Sequence, residues 1–306
     1  MSRLILIDGH ALLHRAYHAF PLSLTTRKGE IVNAVYGFTR ILLGVIDELK
    51  PEYLAVAFDT GKPTFRHQEF VGYQAQRPHM DLELKDQIAR VIEVVQALNL
   101  PIFTLEGFEA DDVIGTLATQ ASRVETIIVT GDKDILQLVN QTTHVYMPGR
   151  GNDPATLYDE DKVKDFLGVL PEQIVDYKAL VGDPSDNYPG VNGVGPKTAV
   201  KLLTRYTSLD NIYTHLGELD PKLRRKLIDG EEAAYLSQKL ARIVTAAPVT
   251  LDLSACQLSD YDTAKASKLF EELEFRSLLK KLPEAKPKDD KIKGEQIHLF
   301  WIMNTE

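Results

Sequence analysis

Three runs of the chain, residues 4–7, 53–58 and 126–130, are short, apolar and rich in strand-forming residues, and each stops at an acidic residue or a Gly-Asp pair. Runs of this kind read as strands buried on both faces, the pattern of a parallel sheet. Between them, residues 34–49 and 82–98 carry helical periodicity and are long enough to serve as crossovers. Strand and helix in alternation predict an α/β layer fold. Two further apolar pieces, 100–105 and 143–147, are candidate strands. From about residue 171 to about 282 the strand signal fades and helical patterns dominate, broken by Gly- and Pro-containing turns. The segment PEAKPKDDKIKGEQ, residues 283–296, lacks apolar periodicity and reads as a solvated linker, yet the chain ends in the apolar IHLFWIMNTE.

The ends of the strand runs carry the chemistry. In α/β sheets ligands bind beyond the carboxyl ends of the strands, where Asp8, Asp59, Asp132 and Asp134 fall. Glu109, Asp111 and Asp112 open a helix in GFEADDVIG, and Asp183 and Asp186 lie three apart in GDPSDN. Each group alone has an ordinary reading as a helix cap or polar turn. Nine acids gathered at one sheet edge exceed that need. Crowded carboxylates raise one another's pKa unless cations sit between them, and hard divalent ions are the usual answer. Metal-assisted phosphodiester chemistry is the expectation.

Composition narrows the setting. With 306 residues, 44% of them hydrophobic and 26% charged, the chain can bury a large core. No apolar run approaches the roughly 18 residues of a membrane span, and the opening MSRLILIDGH is too short in its apolar part for a secretion signal, so a cytoplasmic protein is expected. The single cysteine, Cys256, excludes an internal disulfide and a cysteine-based zinc cluster. A net charge of −9 runs against nucleic-acid binding until the nine acids are set aside, since −9 + 9 = 0 for the remainder. Residues 188–199, YPGVNGVGPKTA, supply that binding. Gly190, Gly193 and Gly195 free backbone amides to approach a phosphate, and Lys197 and Thr198 stand at a following helix start. Such a hairpin between helices grips one backbone without reading bases.

Asp8-Gly9, Phe58-Asp59, EADD, GDKD, GDPSDN and GVGPKTA occur in one order and spacing that resembles the bacterial 5′ nuclease family, the 5′-3′ exonucleases and flap endonucleases. The resemblance covers roughly residues 1–282. It implies a PIN-like parallel-sheet nuclease core, residues 1–175, with a helical arch at about 62–82. A helical region, 176–282, with a helix-hairpin-helix-type DNA-binding motif would follow. It also implies two or more magnesium or manganese ions. Asp8, Asp59, Glu109, Asp111 and Asp112 would hold the first, and Asp132, Asp134, Asp183 and Asp186 the second. Ions about 4 Å apart activate the attacking water and stabilise the leaving oxygen. A potassium ion at the hairpin is implied by the resemblance alone.

The resemblance further assigns phosphate contacts to Arg15, Arg66 and Arg77 and base stacking to Tyr73. His10, His14 and His18 are expected to be structural or phosphate-contacting rather than catalytic. The sequence departs from the family at Tyr73-Gln74, where the family has Tyr-Lys, so an ammonium group near the scissile phosphate is missing and Arg77 is the residue that could compensate. Gln296-Ile297-His298-Leu299-Phe300 resembles the bacterial sliding-clamp-binding peptide, with Gln296, Leu299 and Phe300 as its anchors, on the flexible segment 283–306. The expectation is a monomeric, stand-alone 5′ nuclease acting on DNA with 5′ flaps, nicks or RNA primers in primer removal and repair, with a polymerase supplied in trans. The rivals are an RNA-cleaving nuclease on a similar cage and a flap-binding protein with weak or no catalysis.

Overall fold

A computed structural model describes residues 2–149, 153–258 and 261–283. Six strands form one sheet: β1 (Arg3–Asp8), β2 (Tyr53–Ala57), β3 (Ile102–Phe103), β4 (Glu125–Val129), β5 (Thr143–Met147) and β6 (Thr156–Tyr158), in the spatial order β3-β2-β1-β4-β5-β6. The first five pair in parallel and β6 runs antiparallel to β5. β6 has only three residues, too few for a period-two pattern to declare itself in the sequence. The strand order reverses at β1, whose neighbours are β2 on one side and β4 on the other. That reversal opens a crevice at the carboxyl ends.

Alternation along the buried strands feeds two cores. Ile5, Ile7, Leu54, Val56, Ile127 and Val129 face one layer, and Leu4, Leu6, Ala55, Ala57, Ile128 and Val145 the other. The first layer holds α1 (Gly9–Ala19), α2 (Asn33–Leu49) and, after the short α3 (Phe65–Glu69) and α4 (Leu82–Lys85), α5 (Ile88–Ala97). The second layer begins with α6 (Ala110–Gln120) and, after α7 (Glu160–Leu167), continues with α8 (Ile174–Val181), α9 (Pro196–Tyr206), α10 (Leu209–Thr214), α11 (Pro221–Asp229) and α12 (Glu231–Ala241). The last helices, α13 (Thr263–Glu272) and α14 (Arg276–Leu279), return to the first layer against α5 and α2. Leu4 and Ile128 of the sheet share one core with Leu202, Leu203 and Leu227 of the helical region, so that region is packed into the same body.

Two expectations need correction. The segment 62–82 contains a five-residue helix, α3, and a series of turns rather than a helical arch. Residues 82–98 are two helices, because the chain breaks at Asp86–Gln87. There the Gln87 side chain accepts from the Ala34 and Val35 amides at 2.8 and 3.3 Å and donates to Asn33 at 2.9 Å. It caps the otherwise unpartnered first turn of α2, a tertiary demand that periodicity does not carry. Among the described residues no helix is long and apolar enough to cross a membrane.

Candidate metal centre

β1, β2 and β4 end level with one another, since Asp8 pairs with Ala57 and Ile7 with Val129. The residues just beyond them open onto a cavity of about 540 Å³ lined by Asp8, Asp59, Glu109, Asp111, Asp132, Asp134 and Asp186. Asp8 is buried, caps α1 by accepting from the Ala11 amide at 3.0 Å, and accepts from the Thr130 hydroxyl at 2.7 Å. Burial pushes its pKa up to about 7 despite those bonds. Exposed Asp59 caps α6 through the Ala110 amide at 2.7 Å. His10 accepts from the Asp59 amide at 3.1 Å through Nδ1, which also lies 3.4 Å from the Asp59 carboxylate, and burial lowers its pKa.

Asp111 lines the same cavity. Burial first, then the charges of Asp132, Asp8, Asp59 and Glu109, hold its carboxyl well above the usual range. No hydrogen-bond donor reaches it among the described residues. A crowded, partly buried carboxylate without a donor fits a hard cation as partner. Asp132, expected with the second group, thus also faces the first. Glu109 is pushed up to about 7, chiefly by burial, and accepts from the Tyr73 hydroxyl at 3.2 Å.

The second group is Asp134, Asp183 and Asp186, whose ligand atoms lie within 4.8 Å of one another. Here the structure adds a residue the sequence reading missed. Lys178 of α8 sends its ammonium between two of these acids, bonding Asp134 and, at 2.6 Å, Asp183. Burial raises the Asp134 pKa to about 6 against the pull of Lys178. For Asp183 burial works upward too, but bonds from Lys178 and Ser185 outweigh it and its carboxyl lies below the usual range. The available signal was a lone cation in the apolar helix IVDYKALV, five positions before Asp183.

Other predicted residues have different places. Asp112 is fully buried with both oxygens taken. It accepts from Arg66 at 2.7 and 2.9 Å, from the Val244 amide at 2.8 Å and from the Glu109 amide at 3.1 Å. The expectation that Asp112 binds metal and Arg66 binds phosphate is corrected accordingly. Arg66, also buried, directs donors to the Leu240 and Arg242 carbonyls at 2.9 Å each and lies 3.3 Å from the Glu109 carboxylate. Tyr73, expected to stack a base, is buried with its hydroxyl between Glu109 and Asp186. Arg77 pairs with Asp186 at 2.6 Å, and Gln74 reaches the same oxygen at 3.4 Å. Arg15 donates to the Gly149 carbonyl.

The glycine segment connects α8 to α9. Gly190, expected to present its amide to phosphate, is buried and donates that amide to Ser237 at 3.0 Å; its role is to let the chain pass Gly182. Gly193, Gly195 and Lys197 are exposed at the start of α9 with Thr198 half-buried beside them. Lys226 of α11, another residue the sequence reading missed, donates to the Gly193 carbonyl at 2.9 Å and adds a cation there. Gln296, Leu299 and Phe300 lie outside the described residues.

Residues 3–168 match the family model of the 5′-3′ exonuclease N-terminal resolvase-like domain, and residues 169–264 that of the 5′-3′ exonuclease C-terminal SAM fold. DNA polymerase I of Chloroflexus aurantiacus is 46% identical over 92% of this chain and 31% of its own length. That of Bacillus subtilis is 40% identical over 92% of this chain and 32% of its own. The chain therefore spans about a third of these curated relatives. The same fold occurs in T5 5′-exonuclease with bound zinc ions, 19% identical at a TM-score of 0.66, covering 89% of this chain and 98% of that one. It recurs in the catalytic core of Rad2 in complex with DNA substrate, 17% identical at 0.62, covering 92% and 91%. With both domain matches in order and such identity across nine-tenths of its length, the chain belongs to the 5′-3′ exonuclease family.

Proposed function

We propose that the protein is a divalent-metal-dependent 5′ nuclease that hydrolyses DNA phosphodiesters at 5′ flaps and nicked or primer-bearing duplex ends, in primer removal and repair. The observation that carries the reading is the carboxylate group around donorless Asp111, at the sheet's topological switch point, above a cavity large enough for a nucleotide. Asp8, Asp59, Glu109, Asp111 and Asp132 would hold one magnesium or manganese ion, and Asp134, Asp183 and Asp186 another. Ions so held would supply an activated water and offset charge on the leaving oxygen, so that no protein nucleophile would be required. Arg77, which lines the cavity with its side chain half in solvent, is the cation proposed to meet the scissile phosphate. Gly193, Gly195, Lys197 and Lys226 would hold the duplex backbone, with potassium at the hairpin. A polymerase partner and a clamp bound through residues 296–300 belong to the same reading.

Single-turnover cleavage of an end-labelled double-flap DNA tests it. Magnesium-dependent cutting near the junction, lost in Asp111→Asn, is expected. Tight binding without cutting points to a flap-binding protein, and preference for single-stranded RNA to an RNA nuclease. Gln74→Lys, which restores an ammonium at the mouth, is expected to raise the rate by about tenfold or more; an unchanged rate removes that account of Gln74.

A further inference from the structure

Two features around the second acidic group are used by nothing above. Lys178 is an internal cation lodged between Asp134 and Asp183, held there by two ion pairs although its side chain is only 13% exposed. Tyr188 is 3% exposed, and its hydroxyl has no hydrogen-bond partner among the described residues. That oxygen lies in the field of Lys178 and of Asp134, Asp183 and Asp186. Its backbone is pinned to the same loop by paired amide bonds with Asp183 at 2.9 and 3.1 Å. A buried hydroxyl without a partner costs stability unless another state of the site uses it.

We propose that the Lys178 ammonium holds the place of a cation at the Asp134–Asp183–Asp186 group and yields it to a divalent ion by moving onto the Tyr188 hydroxyl. This rests on the nuclease reading of the site. It explains how Asp134 and Asp183 stay together before an ion arrives, with Asp186 held by Arg77, and why a buried hydroxyl is kept beside them. It makes the second ion compete with a resident charge, so that this site fills after the first.

Manganese binding to the full chain, followed by calorimetry and electron paramagnetic resonance, tests the exchange. In Lys178→Met the second ion is expected to bind at least about tenfold tighter, because a like charge within a few ångströms has been removed, while the metal-free protein melts at a lower temperature. Tyr188→Phe is expected to leave the metal-free melting temperature unchanged or slightly raised. It should weaken the second ion by about three- to tenfold, the worth of one hydrogen bond. Second-ion affinity unaltered or weakened in Lys178→Met overturns the exchange, and unaltered affinity in Tyr188→Phe overturns the part given to the hydroxyl. Should Lys178→Met fail to fold, ¹⁵N-lysine spectra of the unmodified protein decide. A protected Lys178 ammonium signal that shifts at the second equivalent of magnesium supports the proposal, and one that does not move overturns it. A protein that binds no ion at all sinks the nuclease reading, whereas two ions indifferent to Lys178 sink the exchange alone.

Discussion

Asp111 and Asp112 are neighbours in sequence and opposites in role. Asp112 is a fully buried anion compensated by Arg66 and two amides, so removing its partner strands a charge. Arg66→Met is expected to cost about 3–5 kcal/mol in urea denaturation of the metal-free protein. Asp111→Asn removes one member of a repelling group, so the metal-free protein should be as stable as the parent or more so, while manganese binding falls. Equal destabilisation by the two substitutions would remove the distinction. The sequence identified both residues as acids at a helix start. Which one turns toward the cavity depends on Arg66, 46 residues away, and on the return of the chain at Val244, and neither is visible in a local pattern. Lys178 was missed for the same reason: its partners come from two loops.

At the scale of elements, most strands were legible because burial on both faces writes an uninterrupted apolar run. The turns were legible in residue type but not in purpose. Gly182 and Gly190 both have positive φ, 73° and 62°, and a Cβ on Gly190 would lie 2.2 Å from the Gly182 nitrogen. A Cβ on Gly182 would lie 2.6 Å from the Pro189 carbonyl carbon. Backbone cannot step aside cheaply, so Gly190→Ala should destabilise the protein by at least about 1–3 kcal/mol and weaken DNA binding with it. At Gly195 φ is −100° and a Cβ there would meet no atom within 4 Å, so Gly195→Ala should leave the melting temperature unchanged. Any loss of DNA affinity there then reports contact rather than folding. Parallel thermal melts and flap-DNA titrations of the two variants separate a structural glycine from an exposed one.

For the whole molecule the gathered acids set how stability responds to pH. Asp8 and Glu109 are raised to about 7, Asp134 to about 6, and Asp111 well above its ordinary range, each first by burial. Each therefore binds a proton in the folded state at a pH where the unfolded chain has released it, and stability falls as pH rises from about 4 through those values. His10, His14 and His67 work the other way, since burial lowers their pKa and stability rises with pH until the unfolded imidazoles are neutral near 6.5. The two trends oppose each other below about 6.5. Above it the imidazole trend fades while the raised carboxyls are still releasing protons, so the metal-free protein should lose stability between about pH 6.5 and 8. A divalent ion reverses the sign, because it binds the ionised carboxylates and gains affinity as protons leave. Chemical denaturation across that range, with chelator and with magnesium, is expected to give curves that diverge as pH rises; parallel curves would mean that the acids, though crowded, do not bind the ion.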